Sequence, residues 1–256
     1  MRRPTARLTA GESADLLADR EPIFNIPGVI TMLAGLMIAI HAVREYLLSP
    51  ETDEQVQLAF AFIPARFDGS LASSLGVYPG GNAADIWTFV SYAFLHADWT
   101  HLGVNVIWLV VFGSALAWRF GVVRTLLLFA VTAAAGAAAH LAAFGTQFVP
   151  VVGASAAVSG FTAAALRFIF QPGGPLGPMR LPGRMAYEIP ALGLAGMARH
   201  PTIMAMIAVW IVLNVLFGAV SLPIPGAEGQ QIAWQAHLGG FLAGLLLFPL
   251  LDPVRR

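Results

Sequence analysis

Gln235-Ala236-His237-Leu238-Gly239-Gly240-Phe241-Leu242-Ala243-Gly244 lies inside a run, residues 232–251, that holds no Asp, Glu, Lys or Arg. A helix that crosses a membrane needs about 20 mostly apolar residues, and this run has that length. One imidazole stands in it. Ionisable side chains are costly in hydrocarbon and mark function where they occur. Gly240 and Gly244 are four residues apart, a small-residue spacing that lets two helix backbones come close.

Five further runs read the same way: residues 26–48, 100–118, 122–144, 155–170 and 202–220. One or two such runs suit the core of a soluble protein, but six in one chain read as a membrane bundle. The composition agrees, with 57% hydrophobic and 11% charged residues against about 25% charged in soluble domains. Net charge is zero, which gives no sign of a nucleic-acid partner. The chain has no cysteine, which excludes disulfides, a thiol nucleophile and Cys-type zinc sites.

The expected fold is all-α and polytopic, with six transmembrane helices. Residues 1–22 form an inner tail without a cleavable signal, 23–252 the membrane domain and 253–256 an inner end. Residues 171–201, rich in Gly and Pro, hold no long helix.

Every basic residue is Arg. Arg2, Arg3, Arg7, Arg20, Arg119, Arg124, Arg167, Arg180, Arg184, Arg199, Arg255 and Arg256 fall on one side of the six runs; Arg44 and Arg66 fall on the other. The positive-inside rule then puts both termini in the cytoplasm. The segment 48–99 faces outward and carries Glu51, Asp53, Glu54, Asp68, Asp85 and Asp98.

This orientation, set by arginine alone, gathers the unusual polar residues in one layer. Ser155 opens the fourth run, His101 and Asn105 lie in the first two turns of the second, and His237 is about 9 Å below the start of the sixth at 1.5 Å per residue. His101 and Asn105 share a helix face. Ser155, Ser159 and Thr162 share another, small enough to meet the glycine face of the sixth run. A hydroxyl becomes a nucleophile when a base takes its proton. No Asp or Glu occurs at comparable depth, so Ser155 and His237 read as a dyad. Free N–H groups at the start of a helix favour an anion, and Asn105 and His101 add donors to such an oxyanion site. Plainer readings stand beside these: Ser155 as a helix N-cap, Asn105 as interhelical glue, His101 as an interfacial residue and His237 as a buried neutral histidine. His96, His101 and Asp98 suit a metal poorly, because the two histidines are five apart and H-E-x-x-H is missing. No metal or cofactor is expected.

Three motifs resemble the rhomboid family of intramembrane serine proteases. His96, His101 and Asn105 match its H-x4-H-x3-N pattern; Gly153-Ala154-Ser155-Ala156 is similar to its G-x-S-G; Ala236, His237, Gly240 and Gly244 match A-H-x-x-G-x-x-x-G. The resemblance covers residues 25–250. It implies Ser155 as nucleophile, His237 as general base, and His101, Asn105 and the Gly153–Ser155 backbone as the oxyanion and substrate-binding site. It implies His96 as a structural or substrate-side residue, and Gly240 and Gly244 as packing positions. It also implies an outer loop embedded in the membrane at 48–99, the fifth run as a gate and residues 221–231 as a cap. Substrates would be single-span membrane proteins cut in the bilayer of a bacterial inner membrane. Three positions depart from the family: Ala156 replaces a glycine and would narrow the approach to the serine; Ser159 replaces an aromatic that packs on the histidine; Ala117 replaces a glutamate that makes a structural hydrogen bond. Two rival classes are a rhomboid-like protein that binds membrane helices without cutting them, and a transporter. Retention of Ser155 and His237 disfavours the first, and the lack of an inverted repeat the second.

Overall fold

In the computed structural model, residues 25–67, 79–145, 147–220 and 232–254 are described. The inner tail 1–22, the cap 221–231 and the terminal arginines of the sequence reading lie outside them. The described residues form a helical bundle without strands. Four helices are long and apolar enough to cross a membrane.

Helix α1 is Gly28–Leu47 and α2 is Pro50–Phe60. The start of α2 is written locally. The Ser49 hydroxyl accepts from the Thr52 N–H, Pro50 occupies the first turn, and Glu51 and Asp53 meet the positive end of the helix dipole. Helix α3 is Gly81–Ser91. The described residues of the segment 48–99, expected as an outer loop embedded in the membrane, are thus largely helical.

Helix α4, Trp99–Trp108, is capped by Asp98, which accepts from the His101 N–H at 2.7 Å. A π-helical turn, Leu109–Gly113, joins it to α5, Ser114–Phe144. The helical stretch Trp99–Phe144 has 46 residues. Unbroken it would measure about 69 Å at 1.5 Å per residue, more than twice the hydrocarbon thickness of a bilayer. Gly121 divides it, with φ 73° and ψ 177°, a conformation that a side chain would resist. The second and third apolar runs are thus the two arms of one helical hairpin.

Helix α6 is Ser155–Ala165, shorter than the expected 155–170, and the chain continues in turns. Residues 171–200 hold only a short 3-10 turn, Gly183–Tyr187, and α7, Leu194–Ala198. Helix α8, Pro201–Asn214, runs into a π-helical turn, Val215–Ala219. Helix α9 is Trp234–Leu251.

Every residue of α6 after Ser155 is buried, because α5 and α9 lie against it almost backbone to backbone. A methyl group on Gly240 would stand 2.0 Å from the Ala156 carbonyl oxygen, and one on Gly244 2.0 Å from that of Gly160. Both partners advance by four residues, so α9 runs parallel to α6. A methyl group on Gly136 would meet the Ala156 methyl at 2.4 Å, and one on Gly160 would meet Thr132 at 2.4 Å. Here the numbers run oppositely, so α5 is antiparallel to α6. Lipid offers no hydrophobic drive between helices, and close backbone packing of this kind supplies the attraction instead.

The end of the bundle that carries Asp252 is held by charge. Arg119 donates to both Asp252 carboxylate oxygens at 2.8 Å, and to the carbonyls of Tyr187 and Ile189 at 2.7 and 2.8 Å. Its guanidinium also lies over the Phe168 ring. Arg167 donates to the carbonyls of Leu192 and Leu245. These bonds tie the 171–200 segment to α5 and α9, and they secure this end although Ala117 offers no polar group. At the opposite end Arg44 donates to both Asp53 oxygens at 2.6 and 3.1 Å, and to the His96 carbonyl at 2.9 Å. It joins α1, α2 and the turn that precedes α4.

Two outcomes follow from these contacts. Gly240→Ala must part α9 from α6, and we expect a loss of about 1–3 kcal/mol, the usual scale of overpacking. Gly35→Ala in α1 meets nothing within 4 Å and should leave thermal stability in detergent unchanged or slightly raised. The Arg44 guanidinium beside Asp53 holds its carboxyl below the ordinary value of 3.8. A carboxyl lowered on folding stabilises the fold above its unfolded value and loses that contribution as pH falls through the folded one. Stability of the wild-type protein should therefore drop as pH decreases below about 3.8, and Asp53→Asn should flatten that part of the pH–stability curve.

Candidate active site

Residues 147–154 lead into α6, and each part of this segment is tied down. The His140 ring nitrogen Nε2 pairs with the Val149 carbonyl at 3.0 Å. Phe62 and Val151 exchange N–H···O bonds of 3.1 and 2.8 Å. The Gly153 N–H donates to the Tyr92 carbonyl at 3.0 Å, and the Tyr92 hydroxyl donates to Ala133 at 2.8 Å. The Ala154 N–H donates to His96 Nε2 at 3.4 Å. Burial pushes the His96 imidazole down to about 3, so it is neutral and has a lone pair to accept with. His96 thus touches the backbone before the serine and does not line the cavity described below.

Gly153 has φ 112°, and a methyl group there would stand 2.6 Å from the His101 ring and 3.7 Å from Asn105 Nδ2. Only glycine satisfies both the backbone and the ring beside it. This close approach sets His101 and Asn105 against the turn that presents Ser155. The Asp98 carboxylate is engaged as the cap of α4.

Ala154, not Ser155, is the cap residue of α6, and no side-chain bond caps that helix. The plain reading of Ser155 as an N-cap is thereby removed. Ser155 is the first helical residue and the one member of α6 that is not buried. Its N–H belongs to the first turn, where amides have no helical partner. A cavity of about 320 Å³ lies in front of it, and Asn105, Ser155, Ser159, Thr162, Asn214 and His237 are among its lining residues. The Ala156 methyl is buried against Gly136 of α5 and is not part of the cavity wall. It does not narrow the approach to the serine as expected.

Asn105 is buried, and its amide donates to the His101 carbonyl at 3.0 Å. An amide NH₂ has two hydrogens, so one remains. His101 presents its ring to the same turn, at 5.2 Å and 70° to the ring of His96.

His237 has a partner that the sequence reading missed. Its Nδ1 is 2.7 Å from Asn214 Oδ1. Asn214 Nδ2 donates to the Trp210 carbonyl of its own helix at 2.8 Å. With the NH₂ group so committed, the Asn214 oxygen faces the ring, and an oxygen there requires the proton on Nδ1. Nε2 is then left as the basic nitrogen. In an apolar helix Asn214 carries no local signal beyond being a lone amide, and its role depends on α8 lying beside α9.

The model of the Rhomboid domain family matches residues 83–252, more than half of the chain. A human protein, Rhomboid-related protein 3, is 28% identical over 175 residues. That alignment covers 67% of this chain and 38% of the human protein, so the chain spans well under half the length of that relative. The matched region takes in most of α3 and all of α4 to α9, with every residue of the cavity and of the turn before Ser155, and the chain belongs to the rhomboid family.

Proposed function

We propose that this protein is an intramembrane serine endopeptidase. Ser155 is the nucleophile and His237 the general base. The observation that carries this reading is the shared cavity: the one unburied residue of α6 and a histidine held in its Nδ1–H tautomer line the same space.

The chemistry follows from the groups present. The Ser155 hydroxyl adds to a substrate carbonyl while His237 Nε2 takes its proton. The resulting oxyanion is met by the Ser155 N–H, the spare Asn105 hydrogen and His101. Collapse breaks the C–N bond, and the imidazolium gives its proton to the leaving amine. Water then attacks the acyl-enzyme with His237 again as base, which restores the serine.

Substrates in this reading are single-span membrane proteins. The cavity supports this, because its walls include Val104, Trp108, Met206, Val209 and Leu213 and so suit an apolar segment. The proposed topology is six crossings in a bacterial cytoplasmic membrane with both termini inside. The arginine distribution supports the orientation. Arg119, Arg167 and Arg184 gather at the Asp252 end, while Ser155 and Asp98 lie at the other.

Ser155→Ala and His237→Ala should each abolish cleavage of a single-span reporter in proteoliposomes and leave the thermal transition in place. Wild-type turnover in either variant would remove the dyad. Asn105→Ala should lower kcat far more than it changes KM. Loss of one oxyanion donor costs about 10²–10³ in rate, or roughly 3–4 kcal/mol. If a folded Asn105→Ala protein keeps full kcat, Asn105 serves only to join helices.

A further inference from the structure

We propose that Asn214 is a positioning residue for His237, so that the base is aligned only while α8 is seated against α9. This rests on the protease reading above. The Nδ1···Oδ1 distance is 2.7 Å, and the Asn214 amide is itself oriented by the Trp210 carbonyl. No carboxylate among the described residues bonds to His237. Ser159, in place of an aromatic, gives the imidazole no ring to pack on. Asn214 therefore supplies what a third triad member supplies elsewhere, a fixed tautomer and ring plane, without a charge.

The carrier of this residue gives it a second consequence. Within an 18-residue apolar window, 6% of the residues are buried in Pro201–Ala219, against 44% in Trp99–Phe144. Helix α8 has one buried residue, Ile203, so most of its surface is uncovered by protein. It meets α9 through the Asn214–His237 bond and through the Trp210 and Phe241 rings, stacked at 4.4 Å. A substrate that displaces α8 to reach the cavity also takes away the partner of the base. Chemistry then waits until α8 returns, and the Asn214 tether opposes entry while favouring proton transfer.

The test is steady-state cleavage of a single-span reporter by the full chain in proteoliposomes, measured across pH 5–9 beside the thermal transition. Asn214→Ala should lower kcat about 10–10²-fold, part of the 10²–10⁴-fold that a positioned base contributes, with KM unchanged or reduced. Asn214→Asp puts a carboxylate beside the imidazole, which favours the imidazolium. The acid limb of its pH–kcat profile should move about one unit or more to higher pH. The other titratable side chain acting on His237 is His101, which both variants retain. A purely structural role for Asn214 would lower stability and leave that limb in place. Wild-type kcat in Asn214→Ala, or an unmoved acid limb in Asn214→Asp, overturns the proposal. If Asn214→Ala does not fold, the limb of Asn214→Asp decides alone. Absence of cleavage by the wild-type chain would instead sink the protease reading itself.

Discussion

The contact of α9 on α6 is the constraint on which the site depends. The two helices are parallel, and Gly240 faces the Ala156 carbonyl so closely that not even a methyl group fits between them. This fixes the register of α9. His237 is three residues before Gly240 and Ser155 one residue before Ala156, so the two differ by about 3 Å in depth at 1.5 Å per residue. The same contact leaves no freedom to slide, because Gly244 repeats it on Gly160 one turn below. Ser155 and His237, from helices far apart in sequence, are brought to one cavity by this glycine spacing. The site asks for depth as well as register. Helix α6 has only 11 residues and is about 16 Å long. In the proposed topology a helix this short starts below the membrane surface, and the 147–154 segment descends to it. The bonds from Phe62, Tyr92, His96 and His140 serve that descent.

Much of this was legible in the sequence, for physical reasons. Long apolar runs have few folds open to them in lipid, where every backbone group must be bonded internally, so the helical bundle follows from composition. The small faces of α6 and α9 could be read from spacing, since residues three and four apart share a helix face. Arginine counting and helix rise give Ser155, His101, Asn105 and His237 one expected layer; in the fold Ser155, Asn105 and His237 line one cavity and His101 lies against Gly153.

What stayed hidden depends on contacts between helices or on local signals outweighed by others. Asn214 looks like any amide in an apolar helix until α8 is set beside α9. Arg44 entered the reading as an outer charge, yet it joins Asp53 to the His96 carbonyl. The segment 48–99 is an embedded outer loop by the family resemblance, which leaves out the helix start that Ser49, Pro50 and Glu51 form. The expected effect of Ala156 failed because the direction of its methyl, toward Gly136, is a property of the packed trio α5, α6 and α9. The two other departures from the family pattern are met in the same way: Arg119 ties the end near Ala117, and Asn214 holds the histidine that Ser159 cannot.

The central claim is that Ser155 and His237 act as one unit. It is tested most directly by treating the full chain in bilayers with a fluorophosphonate and locating the adduct by peptide mass spectrometry. Modification confined to Ser155, and slowed at least about a hundredfold in a folded His237→Ala protein, is the predicted result. An adduct on another residue, or equal labelling of Ser155 without His237, would contradict it.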